Sequence, residues 1–389
     1  MTKINDKFIF STAPKIHFGS GSLADLGAIA KPLTGGRCLI VTDHGLVATG
    51  IVERAKIALT EAGVHVELFK DVEADPAEAT IIRAVKQAKD MRAESVVGLG
   101  GGSSLDVAKL VAYLAASDEK IADIYGVGQA NAVRLPLVLI PTTAGTGSEV
   151  TPIAIVTTPT QEKMGVVAPV LLPDLAFLDP ELTLGLPAMT TAATGIDAMV
   201  HAIEAYASAS ANNNPISKTL ALQALRLLGG ALLTGVTDGG NIAARSDLML
   251  GSMLAGQAFA NAPVAAVHAL AYPIGGHFKI PHGLSNALVL THVLRFNAQT
   301  SAHSYAETAV AAFPELAAIP LGDRAEAFCD ALDTLARDCG LPMRLRDVGI
   351  DRESLGMMAQ DAIKQTRLLV NNPRELTQDD ILKIYEAAW

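Results

Sequence analysis

The sequence predicts an α/β N-terminal domain with a mainly parallel, doubly wound sheet, followed by an all-α C-terminal domain. Two observations predict this class. From about residue 36 to 180, short runs rich in β-branched residues alternate with amphipathic segments, as strands and helices do in a parallel sheet. From residue 186 onward, long periodic runs rich in alanine and leucine follow one another with almost no strand-like segment, which indicates helices.

The individual elements follow from the same patterns. The predicted strands are CLIVTD, VHVELF, SVVGLG and PLVLIPTT, and the helices between them span residues 51–63, 77–91 and 104–116. In the second half, ISKTLALQALRLLGGALL and DRAEAFCDALDTLARDCG are typical of helices. Because proline suits the first turn of a helix, we place the boundary at Pro187, which divides the chain into domains 1–186 and 187–389.

Composition limits the class of partner. With 389 residues, the chain is long enough for two domains with sizeable cores. A net charge of -10 without a cluster of Lys and Arg argues against nucleic acid and favours a small-molecule partner. Cys38, Cys329 and Cys339 are too few and too scattered for a disulfide framework or a zinc ribbon. We interpret them as reduced thiols of a cytoplasmic protein.

Two segments bear on secretion and membranes. The N-terminus MTKINDKFIF lacks the charged-then-apolar pattern of a signal peptide, so we expect no secretion. Residues 248–278 contain no Asp, Glu, Lys or Arg and have the length of a membrane span. Polar residues and prolines interrupt this stretch, so we expect buried helices around a site and no membrane partner; the interrupting residues are Gln257, Asn261, Pro263, His268, Pro273 and His277.

The glycine-rich turn in SVVGLGGGSSLDVAK is the first candidate binding element. Gly100, Gly101 and Gly102 remove side chains where a diphosphate would approach the backbone, and a helix that Ser103 or Ser104 would cap follows them. The N–H groups and the dipole at a helix N-terminus favour an anion. We therefore interpret the turn as a diphosphate site, the alternative being a tight strand-to-helix connection.

Asp43, in IVTDHG, is the candidate acid for the ribose of a nucleotide. In the usual dinucleotide motif the acid follows the glycines by about twenty residues, whereas Asp43 precedes them. A carboxylate at the end of a strand can bind the 2′-hydroxyl of the ribose and repel a 2′-phosphate, which favours NAD over NADP. A carboxylate that caps a turn is the alternative.

A second polar turn, PTTAGTGSEVT, follows the predicted strand PLVLI. Thr142, Thr143, Thr146 and Ser148 place hydroxyl groups among small residues at the carboxyl end of that strand, as a nucleotide pocket requires. A solvent-facing loop is the alternative interpretation.

The second half contains a candidate site for a divalent metal. Asp197 and His201 are four residues apart, so on a helix both side chains project from one face. His268 and His282 are fourteen positions apart, and the glycines and prolines between them allow the chain to turn back. One carboxylate and three imidazoles suit Fe²⁺ or Zn²⁺ and leave a coordination position open. The alternative is a helix-surface pair with structural histidines.

Four motifs together carry a family resemblance. In this order, GGGSSLDVAK, PTTAGTGSEVT, GIDAMVHAIEAY and HALAYPIGGHFKIPHG resemble the iron-containing (group III) alcohol dehydrogenases, a family that includes lactaldehyde reductase and propanediol dehydrogenase. The likeness runs from FGSGSLADLG to about Asn297. It implies the two-domain architecture shared with dehydroquinate synthase: a dinucleotide-binding N-terminal domain, a helical metal-binding domain, and catalysis in the cleft between them. It also implies a homodimer.

The resemblance also implies roles for single residues. The residues that match the iron ligands are Asp197, His201, His268 and His282. The residues that match cofactor contacts are Asp43, Gly100, Gly101, Gly102, Ser103, Thr142, Thr143 and Thr146, with Lys163 and Leu182 at positions that flank the cofactor in relatives. Asp106 resembles a conformational support near the nicotinamide.

One departure concerns the substrate side of the site. Many members of the family carry a further histidine four residues after the one that matches His268, and this chain has Tyr272 there. His277 occupies a position where relatives often have an aromatic residue. Tyr272 and His277 are therefore both candidates for proton relay or substrate contact. We expect Phe259 and Asn261 to line the same pocket, core packing being the alternative for Phe259.

The function predicted from the resemblance is reversible hydride transfer between NAD and a small primary alcohol or diol, in which a divalent cation lowers the pKa of the alcohol. Glycerol dehydrogenase and dehydroquinate synthase share the glycine turn but use zinc with three protein ligands, and maleylacetate reductase works without this metal set. The complete set of one aspartate and three histidines favours the iron-type enzyme. From a different class, a non-catalytic nucleotide- or metal-binding protein remains the alternative.

Overall fold

The computed structural model describes residues 7–160 and 162–389. The described chain forms two compact units. The α/β unit comprises residues 11–143 and 147–184, and the helical unit comprises residues 7–10, 144–146 and 185–389. Residues 7–10, 144–146 and 185–186, which precede the predicted boundary at Pro187, thus belong to the helical unit. Residues 1–6, which are part of the segment that led us to expect no secretion, lie outside the described residues.

The α/β unit is built on a six-stranded sheet in the order β1-β9-β6-β4-β2-β3, with every neighbouring pair parallel. A second sheet has the order β5-β8-β7, in which β7 and β8 are antiparallel. The predicted mainly parallel sheet is confirmed. The strands are β1 (Ile16–Phe18), β2 (Arg37–Val41), β3 (His65–Phe69), β4 (Ser95–Gly100), β5 (Gly126–Val127), β6 (Leu137–Pro141), β7 (Ile153–Thr157), β8 (Lys163–Val167) and β9 (Leu175–Leu178).

Helices cover both faces of the larger sheet, and the side chains of its central strands β2, β4 and β6 alternate between two apolar clusters. In β2, Leu39 and Val41 belong to one cluster, and Cys38 and Ile40 belong to the other. The first cluster includes buried residues of α4 and α5, and the second includes those of α1 and α3. The helices of this unit are α1 (Leu26–Thr34), α2 (His44–Ala48), α3 (Ile51–Glu61), α4 (Glu78–Asp90) and α5 (Gly102–Ala116).

The strand order reverses beside β2. The chain leaves β2 for β3 on one side and then returns to place β4 on the other side of β2. Ligands of doubly wound sheets bind beyond the carboxyl ends of the strands at such a switch point. Asp43, Gly101 and Thr142 follow the carboxyl ends of β2, β4 and β6 within two residues, so the fold places these three predicted residues at one edge of the sheet.

The helical unit contains no strand among the residues described. Its helices are α6 (Ala188–Ala207), α7 (Pro215–Thr237), α8 (Ile242–Asn261), α9 (Ala266–Phe278), α10 (His282–Ala312), α11 (Arg324–Asp338), α12 (Leu355–Ala362), α13 (Thr366–Leu369) and α14 (Gln378–Ala388). Pro187 is the N-cap residue of α6, one position before the helix we predicted it to begin. Helix α7 packs against α6, α8 and α10.

Among the described residues, α7 is the one helix long and apolar enough to cross a membrane by length and composition, with 39% of its most apolar window buried. Buried helices of soluble proteins meet the same criterion. The uncharged stretch 248–278 is divided between α8 and α9, and most of its side chains are buried.

Candidate functional site

The four candidate metal ligands lie together in the helical unit. Asp197 and His201 are one turn apart on α6, His268 is in the first turn of α9, and His282 is the first residue of α10. The chain turns between α9 and α10 at Lys279, whose φ of 58° is in the left-handed region. One ligand atom from each of the four side chains lies within 4.8 Å of the others.

The chemistry of this donor set fits a divalent cation. Asp197 offers a carboxylate oxygen, and the Nε2 atoms of His268 and His282 lie 3.9 and 3.6 Å from Asp197 Oδ1. Three of the four side chains are buried, and His282 is about one-third exposed. One carboxylate and three imidazoles in such proximity match the ligand types of Fe²⁺ and Zn²⁺ sites.

Two of the imidazoles have a hydrogen-bond acceptor next to their Nδ1 atoms. His201 Nδ1 lies 3.2 Å from the carbonyl oxygen of Gly145, and His268 Nδ1 lies 2.7 Å from Glu204 Oε2. A carbonyl oxygen and a carboxylate only accept hydrogen bonds, so each Nδ1 carries the proton and donates it. The lone pair is then on Nε2, and this tautomer is the one that can bind a cation through Nε2.

Burial and the neighbouring charges set the protonation of the cluster. Burial lowers the pKa of the His201 imidazole to about 3, although the Asp197 carboxylate opposes this shift. Burial also acts to raise the pKa of Asp197, but the three imidazoles and the amide of Asn286 outweigh it, so that its pKa lies below the usual range. At neutral pH the cluster thus presents one carboxylate and a neutral His201, as metal binding requires.

Phe259 contacts the cluster directly. Its ring stacks on His201 with a centroid distance of 4.3 Å, and His201 stacks in turn on His268 at 4.8 Å. Phe259 is buried, in keeping with the core-packing alternative. Asn261 is buried too, and its amide donates to the carbonyl oxygen of Gln257.

The two residues predicted to contact substrate occupy different parts of α9. Tyr272 is one turn after His268, and its ring centroid lies 6.5 Å from that of His282. His277 is near the end of the helix, 43% exposed, with Nε2 2.7 Å from Asp361 Oδ2. His277 is nine positions after His268, about two and a half helical turns, which directs the two side chains to opposite faces.

The glycine turn leads from β4 into α5 in the α/β unit. Gly100 has a φ of 152°, and a Cβ there would lie 2.7 Å from Ser104 Oγ, so a side chain would be both strained and crowded. Our expectation that Ser103 or Ser104 caps α5 is wrong. The helix begins at Gly102, and its N-cap residue Gly101 makes no side-chain capping bond. The first N–H groups of α5 thus lack a side-chain cap, which suits an anion site.

Three of the predicted nucleotide contacts, Asp43, Thr142 and Thr143, lie beside this turn. Asp43 Oδ1 accepts a hydrogen bond from Leu46 N–H and caps α2, and Asp43 Oδ2 lies 3.5 Å from where a Cβ on Gly100 would be. Asp43 therefore makes a capping hydrogen bond, as the alternative interpretation of this residue expected. It also faces the glycine turn. Thr142 N–H donates to the carbonyl oxygen of Gly100, and Thr143 lies beside Gly101. Thr146 belongs to the helical unit.

The remaining predicted residues have structural contacts. Asp106 accepts hydrogen bonds from Ser148 Oγ at 2.6 Å and from Ile155 N–H at 3.0 Å, which ties α5 to the turn after β6 and to β7. Lys163 Nζ lies 2.6 Å from Asp75 Oδ1. Leu182 is buried in the apolar cluster that includes α1 and α3.

Three residues of these networks were not identified from the sequence. Glu204 accepts from His268, Asn286 donates its amide to Asp197 Oδ1, and Lys109 is buried beside Asp106. Helical spacing could have identified two of them, because Glu204 is three residues after His201 and Asn286 is four residues after His282. Lys109, the eighth residue of the apolar helix α5, has no comparable signal.

Comparison with known proteins shows that two family models match this chain. Residues 13–180 match the family model described as iron-containing alcohol dehydrogenase, and residues 191–389 match the C-terminal model of the Fe-containing alcohol dehydrogenase family. Long-chain-alcohol dehydrogenase 1 of Geobacillus thermodenitrificans is 40% identical over 379 residues, which cover 97% of this chain and 95% of that protein.

Two solved structures extend the comparison. The crystal structure of a 1,3-propanediol oxidoreductase has a TM-score of 0.95 at 34% identity and covers 98% of this chain and 100% of its own. Sulfoacetaldehyde reductase from Bifidobacterium kashiwanohense, solved in complex with NAD⁺, has a TM-score of 0.87 at 29% identity, with 98% of each chain covered. The resemblance inferred from the four motifs is confirmed: the chain belongs to the iron-containing alcohol dehydrogenase family.

Proposed function

We propose that the protein is a metal-dependent oxidoreductase that interconverts a small primary alcohol or diol and the corresponding aldehyde, with NAD as the hydride carrier. The observation that carries this proposal is the convergence of Asp197, His201, His268 and His282 within 4.8 Å. Family membership supports it, since a related structure was solved as a 1,3-propanediol oxidoreductase.

The four side chains would hold the cation, and we propose Fe²⁺, with Zn²⁺ as the substitute. A divalent cation supplies Lewis acidity, which lowers the pKa of an alcohol hydroxyl and polarises the carbonyl of an aldehyde. Asp197 contributes one negative charge that reduces the net charge of the loaded site. His201 and His268 are held in their Nδ1–H tautomers by Gly145 and Glu204, so their Nε2 atoms are oriented before a ligand binds.

For the nucleotide, we propose that Gly100, Gly101, Gly102 and Ser103 bind the diphosphate at the start of α5, and that Asp43 binds the adenosine ribose. The uncapped N–H groups of α5 and the position of Asp43 at the switch point of the sheet support this assignment. A related structure was solved with NAD⁺. NAD⁺ supplies C4 of its nicotinamide ring as the hydride acceptor.

In the oxidation direction, the carbinol carbon would give a hydride to bound NAD⁺ and the hydroxyl group would give a proton, so that aldehyde, NADH and H⁺ would be formed. We propose that Tyr272 contacts the substrate or relays this proton, because it lies on α9 one turn from His268 and near His282. His277 is held by Asp361 at the other end of the helix. Tyr272 is therefore the stronger candidate of the two.

The test combines metal analysis with a substrate panel. Protein purified without oxygen is analysed for iron and zinc, and NADH formation is measured with primary alcohols and diols of increasing length, with and without added Fe²⁺. His268→Ala should lose bound metal and activity together. His303→Ala is the matched control, because His303 lies on α10 with a largely exposed side chain. Wild-type turnover by a His268→Ala variant shown to be metal-free would refute the proposal.

We also propose that the enzyme works in the cytoplasm as a homodimer. The three cysteines are free and buried, and burial raises the pKa of each thiol, which suits reduced, unreactive side chains. Family membership supports the dimer. Light scattering coupled to size-exclusion chromatography tests this part, and a monomer at micromolar concentration would contradict it.

A further inference from the structure

Glu204 is a buried carboxylate on α6 that joins the candidate metal cluster to the start of α9. It lies seven residues after Asp197 and three after His201, so α6 presents these three side chains on one face. Its Oε2 accepts from His268 Nδ1 at 2.7 Å and from the N–H of Ala265 at 3.0 Å. Its Oε1 accepts from the N–H of Val267 at 2.7 Å. All three donors point at one carboxylate.

We propose that Glu204 is the positioning residue of the metal centre. It acts through His268, by fixing the proton on Nδ1 and thereby directing a basic Nε2 lone pair into the cluster. This inference rests on the proposed function, because it assumes that the cluster binds a cation. Glu204 itself contributes no ligand atom. Its bonds to Ala265 and Val267 also fix the first turn of α9, so the backbone that carries His268 is anchored to α6 as well.

A carboxylate is required here because every one of its three partners is a donor. Glutamine has one acceptor atom and one NH₂ group, so in Glu204→Gln the NH₂ group must face at least one N–H donor. If the NH₂ group faces His268, the imidazole must accept through Nδ1 and carry its proton on Nε2, and that tautomer cannot bind a cation through Nε2. If the NH₂ group faces Val267 instead, two donors oppose each other in a buried site.

The experiment measures metal affinity rather than turnover. Zn²⁺ is titrated into metal-free wild-type protein and Glu204→Gln in competition with a chromogenic chelator. We expect Glu204→Gln to weaken Zn²⁺ binding by about 10- to 100-fold, which is the usual effect of removing the hydrogen-bond partner of a metal-bound histidine. Glu307→Gln is the matched control, because Glu307 accepts from Tyr206 Oη in the same unit and contacts none of the four ligands. It should bind Zn²⁺ as the wild type does.

A double-mutant comparison separates positioning from a merely structural role. If Glu204 acts through His268, adding Glu204→Gln to His268→Ala should weaken Zn²⁺ binding no further. An equal loss in both backgrounds would overturn the proposal. So would a Glu204→Gln variant that binds Zn²⁺ as tightly as the wild type. Failure of the wild type to bind Zn²⁺ or Fe²⁺ would instead refute the proposed function, which keeps the two failures distinct.

A second readout needs no Glu204 variant and holds even if Glu204→Gln fails to fold. Nuclear magnetic resonance of metal-free protein labelled with ¹⁵N in its nine histidines reports the tautomer of each ring. The His268 signals are identified by their loss in His268→Ala. We expect the Nδ1–H tautomer for His268 in the wild type. The Nε2–H tautomer at this position would overturn the proposal.

Discussion

The side-chain amide of Asn286 donates a hydrogen bond to Asp197 Oδ1 over 2.6 Å, and the same nitrogen lies 3.3 Å from Nε2 of both His268 and His282. Asn286 is one turn after His282 on α10 and is fully buried. One amide group thus contacts three of the four candidate ligands. Its Oδ1 has no hydrogen-bond partner among the described residues. After the three imidazoles, this hydrogen bond also lowers the pKa of the Asp197 carboxyl.

We predict that Asn286→Asp lowers the stability of the metal-free protein and increases the stabilisation produced by metal. Two carboxylates at this distance cannot both ionise without a cation, so the substitution should cost the metal-free protein about 1–3 kcal/mol. A divalent cation relieves the repulsion. Melting temperatures in EDTA and in Zn²⁺ measure both effects, with Asn286→Ala as the uncharged control. Equal Zn²⁺-induced shifts in the wild type and Asn286→Asp would contradict this prediction.

We predict that Tyr272→Phe lowers the turnover number and that His277→Gln changes it little. Tyr272 lies near His282, whereas His277 is held by Asp361 at the far end of α9. A proton-relay group typically contributes about 10²-fold or more to the rate. Turnover number and KM measured for both variants, with metal content checked, distinguish the two positions. A larger loss for His277→Gln would assign the proton role to that residue instead.

The accuracy of sequence-based prediction differed between parts of this chain for physical reasons. Strand β4 and the helix carrying Asp197 and His201 were predictable because both depend on local periodicity. The start of α5 was not, because Ser103 has the chemistry of a capping residue and only the backbone geometry at Gly101 shows that it does not cap. Helical spacing places Glu204 on the same face of α6 as His201, but its role could not be predicted, because its donors at the start of α9 are 61–64 residues away in the sequence.

We predict that Gly100→Ala reduces both stability and NADH affinity. The alanine Cβ would be strained at a φ of 152° and would lie 2.8 Å or less from two atoms of Ser104. Such strain costs on the order of 1–3 kcal/mol. In the control, Gly101→Ala, the new Cβ would be 3.7 Å from Thr143 in an ordinary extended backbone. That variant should melt near the wild-type temperature. Urea unfolding and fluorescence titration with NADH measure the two effects, and wild-type stability of Gly100→Ala would refute the strain argument.

We predict that Lys109→Met strongly destabilises the protein. Lys109 Nζ is buried and donates to Ser148 Oγ, Thr151 Oγ1 and the carbonyl oxygen of Ile153, with Asp106 Oδ1 at 3.4 Å. Removing it leaves Asp106 without its cation, and loss of one member of a buried pair costs about 3–5 kcal/mol. Urea unfolding measures the change.

The control for Lys109 is Lys86→Met. Lys86 forms an ion pair with Asp90 at 2.5 Å, but both side chains are largely exposed. An exposed pair contributes about 0–1 kcal/mol, so this variant should unfold near the wild-type midpoint. A similar small effect for Lys109→Met would mean that the buried network is not required for stability.

We predict that Glu149 makes the metal-free protein less stable as the pH rises from 5 to 8. Burial raises the pKa of its carboxyl from 4.5 to about 7, although its own backbone N–H and Lys109 oppose the shift. Between these two values the folded protein binds a proton that the unfolded chain has released. The free energy of unfolding therefore falls with increasing pH across this interval, by about 3 kcal/mol in total from this group.

Glu149→Gln should remove this fall, because a neutral amide keeps the shape of the protonated carboxyl and does not titrate. The variant should match the wild type near pH 5 and exceed it in stability at pH 8. Urea unfolding at both pH values, in EDTA so that metal release does not contribute, gives the comparison. If the wild type and Glu149→Gln show the same dependence on pH, Glu149 is ionised in the folded protein throughout this range and Lys109 neutralises it.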